Sequence, residues 1–353
     1  MEKNKITILR EGVNSTFQDL GRGNLYHIGL PFSGAMDKRN YLIANKLVGN
    51  KHNEAVIEFA YQGPLIKIEE GNINFAISGD IKFNIKKNGK LINGNCYKNY
   101  NLSKNDEVDI ISTNNSVYGY FAVSGGFDLK QNFGSFSTHV RSNVGANNGN
   151  KIQKDEKFFI KDFNDTHANK SLKYMNSKIE YIRILKGTNF DYFLEKSIKE
   201  LTSKEFLVSK LSDRMGMRLQ GPKIKNLKET NIRSEGLIKG VIQVPADGNP
   251  IIMLSDHGTI GGYPKIAVVI SADYDRLIQI PSGRKIKFKL IELNAGDILF
   301  FSNKCPHQSK KNLSKSSRKV LYYTYAIGKK NIYKRYFLDK QKSLNKNSKS
   351  LPG

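Results

Sequence analysis

Tryptophan is absent from the 353 residues, and cysteine occurs only twice, as Cys96 and Cys305. Two cysteines exclude a disulfide-stapled scaffold and a cysteine-rich zinc module. No run approaches the roughly 18 uncharged apolar residues that a membrane-crossing helix needs, and the opening stretch lacks the apolar core of a signal segment. The expectation is therefore a soluble, cytoplasmic protein. Several catalytic signatures are missing as well. There is no G-x-x-x-x-G-K-[ST] phosphate loop, no G-x-S-x-G elbow, no H-E-x-x-H and no EF-hand loop. The six histidines are scattered, and Cys305-Pro306-His307 is too small a cluster for zinc, so no dedicated metal site is expected.

Acidic charge is also in short supply, with 57 Lys and Arg against 32 Asp and Glu, a net +25. Half of that excess sits at one end. From residue 303 onward there are 14 basic side chains and one acid, Asp339, whereas the preceding 302 residues carry a net of only +12. Most of the charge is lysine, a point charge on a flexible stem, and arginine is scarce. Readers of nucleic acid combine arginine with aromatic platforms, and no such pattern occurs, so nucleic acid is not the expected partner.

What is plentiful is apolar mass. Hydrophobic residues make up 39% of the chain, with 19 Phe and 17 Tyr, enough to build cores. They fall mostly in short runs, Ile6–Leu9, Leu65–Ile68, Ile73–Ile77, Ile81–Ile85, Val108–Ile111 and Val117–Val123, separated by turn residues such as Asn88-Gly89. This predicts β structure with hairpins rather than strands alternating with crossover helices. One early helix is expected from Lys38, capped by Asp37 and stopped at Gly49. The segment from Lys161 to Tyr181 is polar and aperiodic, which divides the chain into an N-terminal β domain (1–165) and a C-terminal β domain (180–303). A Lys-rich extension (304–353) follows, with one expected strand at Val320–Ile327 and a disordered end. In the second domain a helical stripe is expected over Asn189–Leu201. Strands are expected at Ile182–Leu185, Phe206–Ser209, Leu237–Val244, Ile251–Leu254, Ile266–Ile270, Ile286–Leu293 and Ile298–Phe301.

Three stretches combine glycine with reactive side chains. Gln18–Asp37 interleaves Gly21, Gly23, Gly29 and Gly34 with Asp19, Arg22, Ser33 and Asp37. Its glycines allow close backbone approach, and its arginine suits a carboxylate or phosphate; an Asp19–Arg22 pair that merely holds the turns is the equal alternative. Asp247–Lys265 delivers Ser255, Asp256, His257 and Thr259 from the end of a strand. There His257 is either a base or a structural hydrogen-bonding partner, and Lys265 either positions a carboxylate or is simply solvated. Ser212–Leu219 places Arg214 and Arg218 beside Gly216, as an anion contact or as partners of Asp213.

Phe17–Arg22, Gly29–Asp37, Ala44–Asn50, Glu58 and Gly63-Pro64 resemble the N-terminal half of the biotin-dependent carboxyltransferase-like family. Ala122–Gly126, Gly134-Ser135 and Ser137-Thr138 continue the likeness. Ser212–Gly216, Arg218-Leu219, Ile242–Pro245, Gly248, Pro250-Ile251 and, most specifically, Asp256–Lys265 extend it through the C-terminal half. Ordered motifs span about residues 6–300. The resemblance implies a mainly β fold of two cyclophilin-like β-barrel units with a few short helices. It also implies work as the C component of a 5-oxoprolinase, an assembly that opens 5-oxo-L-proline to L-glutamate. The implied partners are the KipI-like B component and the LamB/YcsF-like A component of that enzyme. ATP enters at the level of the complex. Alternative roles within the family are carboxyl transfer from carboxybiotin on a separate carrier, since this chain has no Met-Lys-Met attachment sequence, and antagonism of a KipI-like kinase inhibitor by binding alone. Carried onto this sequence, the catalytic candidates are Asp256, Lys265 and Asp37. The ligand-binding candidates are Arg22, Ser33, Arg39, Arg214, Gln243, Thr259, Gly261, Gly262 and Tyr263. Asn150 stands where relatives tend to have Arg, Lys154 where they have Gly, and His257-Gly258 where an Arg-Gln pair is common.

Overall fold

Strands that alternate apolar and polar residues bury one face, and the first such set forms a six-stranded antiparallel sheet. Its order is Lys157–Phe159, Lys5–Arg10, Leu65–Glu70, Glu107–Thr113, Ile81–Lys87 and Lys90–Asn93. A second sheet of five strands runs Thr16–Gln18, Val56–Ala60, Tyr118–Val123, Asn72–Ser78 and Asn99–Ser103. The core they share includes Ile6, Ile8, Phe17, Ile57, Phe59, Ile66, Phe75, Phe121 and Phe127, all fully buried. Phe17 meets Phe127 and Phe158 edge-on, with ring centres 5.0 and 4.8 Å apart. The structure is a computed structural model and describes residues 3–23, 25–51, 53–162, 169–173, 180–227 and 230–292.

Val56–Ala60 and Tyr118–Val123 are buried at every position. Both of their faces are covered, and Glu58 is the one charged residue among them. On the face away from the first sheet lies helix α1 (Lys38–Leu47), and the same apolar cluster continues from Tyr41, Ala44 and Tyr120 into the residues of a barrel. That barrel is closed by seven strands, Ile182–Lys186, Lys265–Val269, Val241–Gln243, Ile251–Met253, Gly216–Gln220, Glu205–Val208 and Lys285–Leu290. The first and last of these close it as its one parallel pair. Ile184, Phe206, Leu219, Ile242, Ile252, Ile266 and Phe288 fill the interior. Two short helices, α2 (Glu195–Ser203) and α3 (Ser271–Leu277), complete the chain as described. The protein is mainly β, as expected, and no helix among the described residues is long and apolar enough to cross a membrane.

Local expectations hold where turn chemistry decides. Asn88 and Gly89 take φ of 50° and 76° and link Ile81–Lys87 to Lys90–Asn93, the positive-φ geometry of a two-residue hairpin. Asp37 caps α1 by accepting from the Asn40 amide at 2.9 Å, and Gly49 follows its end with φ of 79°. The helix beginning is also held from the barrel side, because Asp275 accepts from the amides of Lys38 and Arg39. Gln279 then donates to Asp37 and accepts from the amides of Val117 and Tyr118. Sheets and barrel are therefore laced together around one helix terminus.

Two expectations need correction, and one helix was not anticipated. The stripe over Asn189–Leu201 is a 3-10 turn, Phe190–Tyr192, followed by α2 from Glu195. Phe193 between them is extended, because it bridges to Asn226 and buries its ring, so tertiary pairing overrides the helical period. The run Leu237–Val244 is a strand only at Val241–Gln243, since Gly240 at φ 89° breaks it and the Leu237 amide turns to Thr259. Helix α3, only seven residues long, had no sequence signal of its own. Ile298–Phe301 and Val320–Ile327 lie outside the described residues.

Candidate functional site

The segment from Gln18 to Asp37 doubles back on itself. The Arg22 amide donates to Phe32 O at 2.9 Å, and the Ala35 amide donates to Asp19 O at 2.9 Å. Such close backbone approach requires glycine at 21 and 34. A Cβ at Gly21 would lie 2.4 Å from Phe32 O, and one at Gly34 would lie 2.9 Å from the Leu20 carbonyl carbon. Asp19, fully buried, accepts from the Gly21 amide, the Ser135 hydroxyl and the Phe136 amide, each at 2.7 Å. Its carboxylate thus holds the loop to a neighbouring segment.

Arg22 is left differently. It is 2% exposed, and Nη2 donates to Ser137 O, yet Nε and Nη1 are buried without a hydrogen-bond partner among the described residues. Ser33, at φ 54°, also buries an unpartnered hydroxyl. Burial lowers the Arg22 pKa against the opposing pull of Asp19 and Asp256. Buried guanidinium nitrogens without acceptors are costly, and an anion reaching them removes that cost.

Arg214 is its opposite, a fully engaged cation. Asp213 accepts from the amides of Met215 and Gly216 and so fixes the turn, which leaves Arg214 free to reach across the molecule. Its Nε and Nη2 grip Asp256 at 2.7 and 3.2 Å, Nη2 also donates to Gly34 O at 2.8 Å, and Nη1 donates to Glu58. Burial works against its charge, but Asp256 and Glu58 outweigh it and hold its pKa above the ordinary value. Burial also pushes the Glu58 carboxyl up, opposed by Arg214 and by the Met36 amide that donates to it. One side chain thereby joins a sheet strand (Glu58), the Gln18–Asp37 loop (Gly34) and the end of a barrel strand (Asp256).

His257 extends the junction. Its Nε2 is 3.2 Å from the Tyr26 hydroxyl and its Nδ1 is 2.6 Å from Gly258 O. In the neutral ring Nδ1–H donates to the carbonyl and Nε2 accepts from tyrosine. Burial raises the Tyr26 pKa, so tyrosine keeps its proton. Burial likewise lowers the pKa of His257, and that of His139, which lies within electrostatic reach of Asp256 and Arg22. A histidine pKa depressed by folding stabilises the protein above its unfolded value of about 6.5 and loses that contribution as pH falls through it. Denaturation between about pH 7.5 and 5 is expected to show stability falling with acid, by up to about 1.4 kcal/mol per pH unit for each histidine. His139→Gln with His257→Gln should flatten that slope, and an unchanged slope in the double variant would remove both from this role.

The sequence-derived candidates therefore fall in three places. Arg22, Ser33, Arg214 and Asp256 meet at the junction. Lys265, Gln243, Thr259, Gly261, Gly262 and Tyr263 line a neighbouring stretch. There the Lys265 amine pairs with Glu235 at 2.8 Å, Gln243 donates to Tyr263 O at 3.0 Å, and Ile260–Gly261 pairs with Glu235–Gly236. Thr259 O accepts from Leu237, Gly262 O accepts from Ile232, and Tyr263 is 40% exposed. Asp37 and Arg39 sit at the start of α1, where Asp37 is fully buried and engaged as a cap. Sequence reasoning did not single out His139 or Tyr26 as site residues. No local pattern marks them, since each meets the junction only through partners more than 100 positions away.

Residues 28–290 match the family model described as carboxyltransferase domain, subdomain A and B. The chain belongs to this family. Among curated proteins it is 32% identical over 289 residues to the C component of the 5-oxoprolinase of Haemophilus influenzae, covering 82% of this chain and 92% of that protein. It is 31% identical to the same component of the Escherichia coli enzyme, covering 80% and 90%. Among solved structures, the urea amidolyase of Kluyveromyces lactis superposes with a TM-score of 0.74 at 24% identity, which is a likeness of fold. The match covers 83% of this chain and only 19% of that much longer one.

Proposed function

We propose that this chain serves as the C component of an ATP-dependent 5-oxoprolinase, acting with partner proteins to convert 5-oxo-L-proline to L-glutamate. The observation that carries the reading is its likeness, across nine-tenths of their length, to two curated proteins of that name. The junction is chemically suited to it. The 5-oxoproline molecule carries a carboxylate and an amide, and Arg22 offers two buried, unpartnered nitrogens to an anion. Asp256 stands beside them, oriented by two bonds from Arg214. In this reading a KipI-like protein and a LamB/YcsF-like protein complete the assembly, and ATP enters at the level of the complex.

The test is 5-oxoproline-dependent ATP hydrolysis by the chain reconstituted with those two partners. Activity is expected only with all three present, and Asp256→Asn should reduce kcat at least about a hundredfold. Undiminished turnover in that variant would remove Asp256 from the site. Full turnover by the two partners alone would overturn the reading as a whole. The match to the carboxyltransferase domain favours carboxyl transfer as the second reading. It requires carboxybiotin on a separate carrier, and carboxylation of an acceptor by the chain with such a carrier would establish it.

A further inference from the structure

Lys265 opens the barrel strand Lys265–Val269, and its backbone is held on both sides. Its amide donates to Asn189 Oδ1 at 3.0 Å, and its carbonyl accepts from the Asn189 amide at 3.1 Å. Across the ladder the register shifts, so that Gln243 stands opposite Lys265 rather than Ile266. A bulge of this kind re-aims a side chain at the end of a strand. Residues 231–236 lie against this end of the barrel as a strap. The strap is fastened by the Ile232 amide on Gly262 O at 2.8 Å, the Leu237 amide on Thr259 O at 2.9 Å, and the pairing of Glu235–Gly236 with Ile260–Gly261. Leu237 anchors one end by packing against Val241 and Met253, whereas every residue from Asn231 to Gly236 except Ile232 is exposed.

From this strap Glu235 reaches Lys265, its Oε2 accepting from Nζ at 2.8 Å. The two ends of the pair are unlike. The Lys265 side chain is 4% exposed and that of Glu235 is 46% exposed. No other ion pair among the described residues joins a buried cation to an exposed acid. Arg214, by contrast, is clamped by two carboxylates that are themselves buried. An ammonium carries three N–H donors, and among the described residues a single acceptor, Glu235, takes one of them. A buried ammonium without a counter-charge is costly, so the charge on Lys265 depends on the anion that reaches it. Here that anion comes from an exposed side chain on a segment held by few bonds.

We infer that Lys265 is the cation of a binding site for a small carboxylate, and that Glu235 is the occupant the chain itself supplies, displaced when a ligand carboxylate enters. The exchange conserves charge at both ends. Lys265 trades one carboxylate for another, and the Glu235 side chain returns to water, where its charge is hydrated. The chemical class follows from the occupant, since the group that the site already accepts is a carboxylate bound through one oxygen. Gln243, directly opposite, shares a face with Lys265 and spends its amide nitrogen on Tyr263 O, so a ligand held there meets a neutral amide beside the cation. The site does not depend on the lactam-opening reading above.

The test uses formate, the smallest carboxylate, on the full chain carrying Arg22→Met, so that the unpartnered nitrogens at the junction are silent. Melting temperature is followed against sodium formate at neutral pH, with sodium chloride of equal ionic strength as the reference. With Glu235→Ala the buried amine loses its partner, and formate is expected to restore melting temperature along a saturating curve. With Glu235 in place the same curve is expected at about tenfold higher formate or more, because the tethered carboxylate competes for the amine. Lys265→Met should respond to formate no more than to chloride, and Lys265→Gln supplies this control if the methionine variant does not fold. A Glu235→Ala chain that ignores formate overturns the site, as does a response that survives loss of Lys265. If the chain retaining Glu235 shows no response at about thirtyfold the midpoint of Glu235→Ala, Glu235 is a permanent structural partner and displacement is overturned. A reconstituted complex that turns over no 5-oxoproline overturns the lactam reading and leaves this site standing.

Discussion

Arg214→Met is expected to lower the unfolding free energy by about 3–5 kcal/mol, read by urea denaturation at neutral pH. The arginine compensates two carboxylates at once, Glu58 at 1% exposure and Asp256 at 7%, and supplies a donor to Gly34 O. Methionine preserves most of the packing volume, so the loss reports uncompensated buried charge rather than a cavity. Two controls sharpen the test. Arg214→Met combined with Glu58→Gln should cost less than the sum of the single changes, because the second substitution removes one of the stranded charges. Acid should also narrow the gap. Burial already pushes the Glu58 carboxyl up, and without the opposing guanidinium it rises further, so the folded variant binds this proton more tightly than its unfolded chain does. The contribution of Glu58 to stability is then greatest below its unfolded value and is lost as pH rises through the raised one. A loss under about 1 kcal/mol would mean that Arg214 does not hold the sheets, loop and barrel together.

Arg22→Met should behave in the opposite way. Function is expected to fall by about 10²–10³ in kcat/KM of the reconstituted complex, as removal of an anion-holding donor does. Stability should stay level or rise by about 1–3 kcal/mol, because the substitution replaces a buried, largely unpartnered cation with an apolar side chain. The ligand response separates binding from scaffolding. Saturating 5-oxoproline should raise the melting temperature of the wild-type complex and leave that of the variant unmoved. If Arg22→Met instead destabilises the chain as much as Arg214→Met does, Arg22 is a structural member of the junction and the anion reading fails. Contrasting signs for two buried arginines in the same place are a demanding prediction, since general damage to the fold would move both in one direction.

Much of the architecture was readable in short-range chemistry. The runs at 65–68, 73–77, 81–85, 108–111 and 117–123 all fall on strands, and Asn88-Gly89 and Asp37 perform the turn and cap that their residue types favour. Reading failed where a segment's conformation is set by a distant partner. Phe193 is extended because of Asn226, and the stretch from Leu237 is drawn away by Thr259 and broken at Gly240.

The same distinction governs the site. Composition and motif order brought Arg22, Arg214 and Asp256 to attention, because glycine-flanked arginines and a strand-end carboxylate are chemically conspicuous wherever they fall. They could not say which arginine is satisfied. Residue type is identical at 22 and 214, and only the arrival of Glu58, Gly34 O and Asp256 around one of them makes it a tie, while the other keeps idle donors. Residue identity and near-neighbour spacing set which elements form, since backbone preferences and burial periodicity act over a few residues. Hydrogen-bond partnership and desolvation act through space, and for this chain they were decided only when sheet, loop and barrel closed on one another.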